Sequence, residues 1–399
     1  MTLAEPGDRA QLKAVPLVSV VMPCLDEADA VGECVQTAAD ALRRMGVAGE
    51  VVVADNGSTD GSDSIATEAG ARVVREGVRG YGAAYLKGFQ EARGRYLVMG
   101  DADGSYPFSD IERFVDPLQS GDFDMVIGNR LGGDILPGAM PWTHRWIGNP
   151  VLSGMLRLFF GTRIADSHCG MRSFTREAYD RMSPRTTGME FASELVVNAL
   201  RANLRIKEIP ITYSPRIGES KLSGFRDAWR HVRFMLLFSP SYLFQLPGIF
   251  LLLTGAFLMA ALAGGPRAAF GRTWDYHPFL FGAVAVMAGY NLILFDVIAK
   301  LFSIGAGLAR PRPWMRHAMR LFSLERGVLL GLSLILIGVG FELSVAVAWI
   351  RSGYGPLTAM REVVFGLVSI AIGLQTVFAS FLISLLSLNF VAPSSTGDT

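Results

Sequence analysis

Hydrophobic positions follow two different patterns along the chain, and the change falls near residue 235. Before it, short apolar runs alternate with longer stretches in which charged and apolar residues mix. After it, from about residue 240 to 390, the apolar runs are long enough to cross a bilayer. The pattern predicts an α/β domain over residues 15–222, followed by a helical membrane domain over residues 241–390.

The short apolar runs of the first part are typical of strands buried on both faces of a sheet. They occupy residues 17–22, 51–54, 71–75, 95–100 and 124–128. Pro23 directly follows the first run and is expected to end it. Amphipathic stretches such as 33–45 and 80–91 lie between the runs and predict helices. Alternating strands and helices indicate a mostly parallel, Rossmann-like sheet with right-handed crossovers.

Acidic or glycine-rich loops follow successive predicted strands. They contain Asp26 and Glu27, Asp55, Gly80 and Gly82, Asp101 and Asp103, and Asn129 and Arg130. Because the carboxyl ends of parallel strands meet at one edge of a sheet, we expect these loops to form a single ligand site. The chain lacks a P-loop and a G-x-G-x-x-G motif after the first strand, which disfavours both of those nucleotide sites.

Asp101 and Asp103 are the candidate metal ligands at this edge. Two carboxylates at positions i and i+2 of an extended chain point the same way. Such a pair suits Mg²⁺ or Mn²⁺, which take a few carboxylates together with substrate phosphates. On spacing alone, a solvated turn explains the pair at least as well. The clustering of the other loops favours the site.

Charge and cysteine content exclude several other classes of protein. The formal net charge is +1, so there is no basic field to attract nucleic acid. Three cysteines without C-x-x-C spacing argue against a disulfide framework or a zinc site. The N-terminal residues 1–14 lack an apolar signal segment and are expected to be disordered, as are residues 391–399. The first domain should therefore lie in the cytoplasm.

The second part predicts four transmembrane helices, at about residues 243–264, 279–303, 328–350 and 363–388. The most basic loop, residues 310–320, should be cytoplasmic, which places both termini inside. Residues 223–240 predict an amphipathic helix in the membrane interface, docked on the soluble domain, or both. Glu342 is a charge within the third span with no evident partner in the sequence.

Several motifs in the first part resemble the ordered signatures of family 2 glycosyltransferases, and in particular the dolichyl- or polyprenyl-phosphate mannose and glucose synthases. They are PCLDE at 23–27, DNGSTD at 55–60, RGYGAA at 79–84 and DAD at 101–103. Further blocks follow in order at 128–130, 166–172, 188–194 and 216–221, so that the resemblance covers about residues 16–235.

The resemblance implies a GT-A fold and a nucleotide-sugar donor. Residues that it assigns to donor binding are Pro23, Leu25, Glu27, Asp55, Gly82, Asp101, Ala102 and Asp103. Asp101 and Asp103 would hold the donor diphosphate through Mg²⁺ or Mn²⁺. The chain departs from the family pattern at Asp26, where Asn is common, at Asn56, where Asp is common, and at Gly104-Ser105, where a Gln that helps hold the metal is often found.

The resemblance also implies a lipid-phosphate acceptor, whose oxyanion is already a nucleophile and requires positive groups rather than a strong base. Candidate acceptor-phosphate residues are Arg130, Arg145, Arg216, Ser220 and Lys221. Arg130 and Arg145 each have a surface or lipid-headgroup contact as the alternative, and the segment with Arg216, Ser220 and Lys221 could be a simple linker. Asp166, where the family often has an acidic residue facing the acceptor, is predicted with Asp101, Asp103 and Arg130 to be catalytic. A base, an orienting and a structural role for Asp166 remain open.

The function implied is inverting, metal-assisted transfer of one hexose from UDP-glucose or GDP-mannose to a polyprenyl or dolichyl phosphate at the cytoplasmic membrane face. One rival is transfer to a lipid hydroxyl, which makes a glycolipid and needs a base. A second is a non-catalytic membrane scaffold that only binds nucleotide sugar. The absence of a Gln-x-x-Arg-Trp motif disfavours a processive polymerase. A homo-oligomer is expected only from the resemblance.

Overall fold

The computed structural model describes residues 15–218, 224–305, 323–356 and 359–388. The chain divides into two compact units, Met1–Met235 and Leu236–Thr399. The first unit is α/β and the second is helical, as the hydrophobic pattern predicts.

The first unit contains a seven-stranded, mostly parallel sheet with the strand order β3-β2-β1-β4-β6-β5-β7. The strands are β1 (Val18–Cys24), β2 (Gly49–Asp55), β3 (Arg72–Arg75), β4 (Tyr96–Met99), β5 (Met125–Asn129), β6 (Arg172–Thr175) and β7 (Ile206–Pro210). Only β6 is antiparallel to its neighbours, β4 and β5, among these strands. This mostly parallel, GT-A-like sheet confirms the predicted fold class.

Eight helices accompany the strands in the described residues of this part of the chain. They are α1 (Val31–Arg44), α2 (Ser62–Glu68), α3 (Tyr81–Glu91), α4 (Ile111–Gln119), α5 (Asn149–Phe160), α6 (Arg176–Met182), α7 (Phe191–Arg201) and α8 (Gly224–Phe238). Helix α1 contacts α2 and α4, whereas α7 contacts α3 and α6. Successive strand residues Val20 and Val21 point to opposite faces, and both are fully buried, so the core lies on both sides of the sheet.

Pro23 does not end the first strand, contrary to the prediction, because β1 continues to Cys24. Val21 accepts a hydrogen bond from Gly100 on the β4 side, so the odd-numbered residues of β1 direct their backbone groups toward β4. The β4 pairing ends at Val21, opposite Met99. The amide hydrogen that proline lacks would thus point beyond the end of β4, and the ladder loses nothing.

Helix α8 packs against the first unit. His231, Phe234 and Met235 are buried, while Trp229 is 54% exposed. The docked alternative is therefore observed, and a place in the membrane interface stays a prediction.

The second unit contains four helices that are long and apolar enough to cross a membrane. They are α9 (Leu246–Leu262), preceded by a helical turn at Ser241–Gln245, α10 (Tyr276–Gly305), α11 (Leu324–Arg351) and α12 (Met360–Leu388). Strands β8 (Arg267–Ala269) and β9 (Arg272–Trp274) form a hairpin between α9 and α10. The basic loop 310–320 lies outside the described residues.

Charged side chains lie within helices α10 and α11. Lys300 donates hydrogen bonds to Asp296 at 2.6 Å and to Gln245 at 3.0 Å, so the two charges of α10 are paired. Glu342 packs over Gly366 of α12, where a Cβ atom would lie 2.4 Å from its Oε1. This oxygen is buried and accepts no hydrogen bond from the residues that the structure describes.

Candidate active site

Asp101 and Asp103 follow β4 at the carboxyl edge of the sheet. Asp103 Oδ1 accepts hydrogen bonds from the Ser105 amide at 3.0 Å and the Ser105 hydroxyl at 2.5 Å. Gly104 has a φ of +75°, which lets the chain turn back between these two residues. Ser105, which stands where relatives often have a Gln, therefore holds Asp103 in place.

Two tyrosines hold Asp101. Tyr81 and Tyr85 lie four residues apart on α3, and their hydroxyl groups donate to Asp101 Oδ1 at 3.0 and 3.2 Å. Desolvation, together with the nearby Asp101 charge, raises the pKa of both hydroxyls well above their ordinary value. Both therefore remain protonated donors and fix the orientation of the carboxylate.

The two carboxylates are close enough to influence one another. Burial, and next the charge of Asp103, raise the pKa of Asp101 to about 7. Within the described chain neither Oδ2 atom accepts a hydrogen bond, and the Arg216 guanidinium lies 3.8 Å from Asp103 Oδ2. Two hard oxygens left over at a crowded negative site fit a divalent cation such as Mg²⁺ or Mn²⁺.

Such a cation would need ligands beyond these two residues. The described residues contain no group of three or more His, Cys, Asp or Glu side chains that could hold a metal. Mg²⁺ is commonly bound by one or two carboxylates plus substrate phosphates and water, which is what this edge offers.

The loops after β1 and β2 are joined by hydrogen bonds. Asp26 Oδ1 accepts from the Thr59 amide at 2.7 Å, and the Asp26 amide donates to Ser58. The buried Asp55 accepts from the amides of Gly57 and Ser58 at 3.3 and 3.2 Å. The structure thus brings together Asp26 and Asp55, and an Asn side chain at 26 could accept the same Thr59 bond through its own oxygen.

Other residues predicted to bind the donor lie at the same edge. Pro23 and Leu25 are half-buried at the end of β1, and Ala102 is buried between the two site carboxylates. Glu27 accepts a hydrogen bond from Arg216 at 2.9 Å. This ion pair connects the loop after β1 to residue 216. The donor-binding roles stay predictions.

Gly82 is packed against the protein itself. A Cβ atom at Gly82 would lie 2.2 Å from the Thr186 carbonyl oxygen and 2.9 Å from Phe191 Cβ. The start of α3 therefore approaches the backbone of residues 186–187 closely, and this approach requires glycine.

Arg130 and Asp166 form a buried, bidentate ion pair. Arg130 Nε donates to Oδ2 at 2.7 Å, Nη2 to Oδ1 at 2.8 Å, and the Arg130 amide to Oδ2 at 3.0 Å. Asp166 is fully buried, and the guanidinium lies over the Tyr213 ring at 5.2 Å. Among the three roles left open for Asp166, this geometry fits an orienting role best.

The remaining predicted acceptor residues are not brought together with this pair. Arg145 lies on an exposed helical turn, His144–Gly148, and its guanidinium stacks over Trp146 at 5.5 Å. Arg216 lies instead beside Glu27 and Asp103. Ser220 and Lys221 lie outside the described residues.

Several site residues were missed by sequence reasoning. Besides Tyr81 and Tyr85, the Tyr106 hydroxyl accepts the Gly170 amide at 2.8 Å, beside Asp101. Buried Arg172 donates to the carbonyls of Ser167 and Cys169, which fixes the loop after Asp166. The i, i+4 spacing of Tyr81 and Tyr85 next to a glycine-rich loop was the available signal, but aromatic residues at that spacing also suit a core.

Two family models match the chain. The model for glycosyl transferase family 2 matches residues 19–183, and that for the glycosyltransferase family 2 C-terminal transmembrane region matches residues 297–387.

One known protein is similar to this chain over most of its length, and others are similar over about half of it. The low-salt glycan biosynthesis hexosyltransferase of Haloferax volcanii is 41% identical over 94% of this chain and 92% of its own length. A dolichyl-phosphate hexose transferase of the same organism is 33% identical over 52% of this chain and 87% of its own. A solved glucosyl-3-phosphoglycerate synthase from Mycobacterium tuberculosis has a TM-score of 0.45 and 22% identity, over 56% of this chain and 80% of its own. That last likeness carries no functional argument.

Proposed function

Because this chain belongs to glycosyl transferase family 2, we propose that it transfers one hexose from UDP-glucose or GDP-mannose to a polyprenyl or dolichyl phosphate, with inversion, at the cytoplasmic membrane face. Family membership identifies the chain as a glycosyltransferase with a transmembrane region, and this excludes the alternative of a non-catalytic scaffold. The donor, the acceptor, the membrane face and the residue roles form the proposal.

On the donor side, Asp101 and Asp103 would hold a divalent cation, which when bound neutralises the charge of the leaving nucleoside diphosphate. Tyr81 and Tyr85 orient Asp101, and Ser105 orients Asp103, each through its Oδ1 atom, so that the two Oδ2 atoms would be the ligands of the cation. Glu27 and Asp55, in the joined loops after β1 and β2, would bind the nucleoside.

The proposed class of acceptor rests on one observation, the hydrogen bonds that Asp166 accepts from Arg130. Both of its oxygens accept hydrogen bonds from Arg130, and protonation would break at least one of them. A carboxylate held in this way is a poor general base. An acceptor that is already an anion, such as a lipid phosphate, needs no base, whereas a hydroxyl acceptor does.

Arg130 would bind that anion. Its Nη1 has no hydrogen bond among the described residues, while Asp166 and Tyr213 fix the plane of the guanidinium. A fixed guanidinium fork suits phosphate oxygens. Because Asp166 balances its charge, Arg130 can remain buried at the site without an isolated charge.

An exposed apolar surface supports a lipid acceptor. Trp142, Trp146, Ile147, Val151 and Leu158 are between 52% and 68% exposed. Trp142 lies just before the turn His144–Gly148, and the others lie on that turn or on α5. Arg145 stacks on Trp146 within this surface. Aromatic and basic side chains of this kind are typical of a membrane interface. The similarity to a dolichyl-phosphate hexose transferase points the same way.

The decisive experiment uses the full chain in lipid nanodiscs with polyprenyl phosphate. UDP-glucose and GDP-mannose are offered separately with Mg²⁺, Mn²⁺ or EDTA, and the glycolipid is identified by mass spectrometry. We expect a product with one donor that disappears in EDTA and in Asp103→Ala.

A second arm separates the two acceptor classes. Asp166→Asn should reduce transfer to polyprenyl phosphate roughly ten- to a hundredfold through loss of orientation of Arg130, whereas transfer to a lipid hydroxyl would be abolished. Asp124→Asn is the matched control, since Asp124 forms a similar bidentate pair with Arg205 at the opposite end of β5. Product formed only on a diacylglycerol or ceramide, with none on polyprenyl phosphate, would contradict the proposal.

A further inference from the structure

A chain of hydrogen-bonded side chains connects α8 to the loop that carries Asp166. His231 Nδ1 on α8 lies 2.8 Å from Ser193 Oγ on α7, and Ser193 Oγ lies 3.1 Å from His168 Nε2. His168 Nδ1 then lies 3.0 Å from Ser167 Oγ. Ser167 in turn bonds to Ser153 of α5 at 3.0 Å. We call these five residues the serine–histidine chain.

The serine–histidine chain lies in the interior of the first unit. Ser153, Ser167 and Ser193 are fully buried, His231 is 7% exposed, and His168 is half-buried. The two imidazole rings meet edge to face, with centroids 4.7 Å apart. Polar groups in such surroundings are destabilising unless their hydrogen bonds are made. Each link therefore depends on the position of its neighbours.

The three inner members of the chain, Ser193, His168 and Ser167, each have one proton to share between two neighbours. The Ser193 hydroxyl bridges two ring nitrogens, so it donates to one imidazole and accepts from the other. Desolvation, followed by the nearby His231 and Arg172 charges, lowers the pKa of His168 well below its ordinary value. A neutral His168 has one ring N–H and one ring nitrogen without a proton, so when one nitrogen accepts a hydrogen bond the other donates one. The donor–acceptor order between His231 and Ser193 therefore also fixes which partner donates between His168 and Ser167.

The far end of the chain reaches the acceptor side of the site. Ser167 and His168 directly follow Asp166, which holds Arg130. Beside Asp101 the same loop has an additional hold, because the Gly170 amide donates to Tyr106. Arg172 donates to the carbonyls of both Cys169 and Ser167, and Glu208 accepts from the Asp166 amide. A disturbance that enters at His231 should therefore move Asp166 more than the backbone beside Asp101.

We infer that His231, acting through Ser193 and His168, is a positioning residue that sets Asp166 and Arg130 for binding of the acceptor phosphate. Docking of α8 on the first unit thereby becomes part of the acceptor site, although α8 itself contributes no contact that the mechanism requires. The kinetic test of this inference rests on the proposed phosphate acceptor, whereas the test by hydrogen–deuterium exchange does not.

The kinetic arm compares five variants of the full chain in nanodiscs. His231→Phe keeps a ring without a ring nitrogen, and Ser193→Ala removes the central hydroxyl. Each should raise the KM for polyprenyl phosphate roughly three- to tenfold, as expected for one lost buried hydrogen bond, while the KM for the nucleotide sugar changes less than about twofold. The double variant should be no worse than either single variant, because both break the same chain.

Two further variants separate positioning from general destabilisation. His231→Asn places an amide near the position of Nδ1 and should restore most of the acceptor affinity. Phe234→Leu changes the packing of the same buried face of α8 and should leave the ratio of the two KM values unchanged. Independent effects of His231→Phe and Ser193→Ala, or an equal rise in both KM values, would overturn the inference.

The structural arm needs no substrate. Hydrogen–deuterium exchange should become faster at residues 165–168 in His231→Phe and in Ser193→Ala, with residues 169–172 little changed, and Phe234→Leu should behave as the unmodified protein. Unchanged exchange at 165–168 would overturn the inference whatever the acceptor is. If the unmodified protein makes no product on polyprenyl phosphate, the proposed acceptor is wrong and this arm alone decides.

Discussion

At the scale of single residues, Asn56 shows why a departure from the family pattern is compatible with the site. Its amide donates to the carbonyls of Glu76 at 3.0 Å and Val78 at 2.8 Å, and its oxygen accepts the Gly80 amide at 2.7 Å. A carboxylate could accept the last bond but not donate the first two. Asn56 thus fixes the loop that leads into α3, and with it the position of Tyr81.

The hydroxyl of Tyr85 is expected to support metal binding through Asp101. Tyr85→Phe removes one of the two donors to Asp101 Oδ1 without changing the ring. Partners of this kind are typically worth ten- to a hundredfold in metal affinity. We expect the Mn²⁺ affinity in the presence of nucleoside diphosphate, measured by electron paramagnetic resonance, to fall roughly tenfold. Transfer should fall in parallel.

The matched control is Tyr179→Phe. Tyr179 stacks on Phe174 and contacts Phe89, in the same aromatic cluster as Tyr85. The described contacts give it no hydrogen bond to Asp101. The control should keep its Mn²⁺ affinity, and an unchanged affinity in Tyr85→Phe as well would show that the tyrosine does not orient a metal ligand.

At the scale of elements, the close approach of α3 to residues 186–187 is held from both sides. Glu194 of α7 accepts hydrogen bonds from the amides of Arg185 and Thr186 and from the Thr186 hydroxyl. Both carboxylate oxygens of Glu194 are therefore occupied with residues 185–186. The Thr186 carbonyl cannot easily move away from Gly82.

Gly82→Ala tests that packing. In a free helix the change would be stabilising by about 1 kcal/mol, but here the added Cβ atom would lie 2.2 Å from the Thr186 oxygen. We expect a net loss of about 1–3 kcal/mol in the free energy of unfolding, measured by chemical denaturation. Gly77→Ala, which has nothing within 4 Å of the added atom, should be close to neutral. Full stability with lost donor binding would instead indicate direct contact with the donor.

The sequence predicted the elements whose signal is local. Buried apolar runs indicated β1 to β5, and the Asp101–Asp103 spacing indicated the site carboxylates. Strand β6 was not predicted, because Arg172–Thr175 is not an apolar run. Its buried Arg172 donates a hydrogen bond to the carbonyl of Ala192, which lies 20 residues further along the chain. The Arg130–Asp166 pair and the serine–histidine chain escaped prediction for the same reason, since each joins residues that only the fold brings together.

At the scale of the whole molecule, the second unit contains two hairpins of the same design. Gly248 and Gly255 of α9 face Gly289 and Gly282 of α10, and Gly331 and Gly338 of α11 face Gly373 and Gly366 of α12. In all four helices the two glycines are seven residues apart. Without a hydrophobic driving force between helices in lipid, close backbone packing at small residues is what holds such pairs together.

Gly338→Val should therefore separate α11 from α12. The added Cβ atom would lie 2.5 Å from the Gly366 carbonyl oxygen, which is backbone and cannot rotate away. We expect a loss of about 1–3 kcal/mol, measured as a lower midpoint of unfolding of the full chain in detergent titrated with sodium dodecyl sulfate. Gly340→Val is the control on the same helix, because Gly340 is exposed and has nothing within 4 Å of the added atom. Gly340→Val changes the backbone entropy and the side-chain volume by the same amounts as Gly338→Val. Equal midpoints for the two variants would therefore mean that the glycine contacts do not hold the hairpin together.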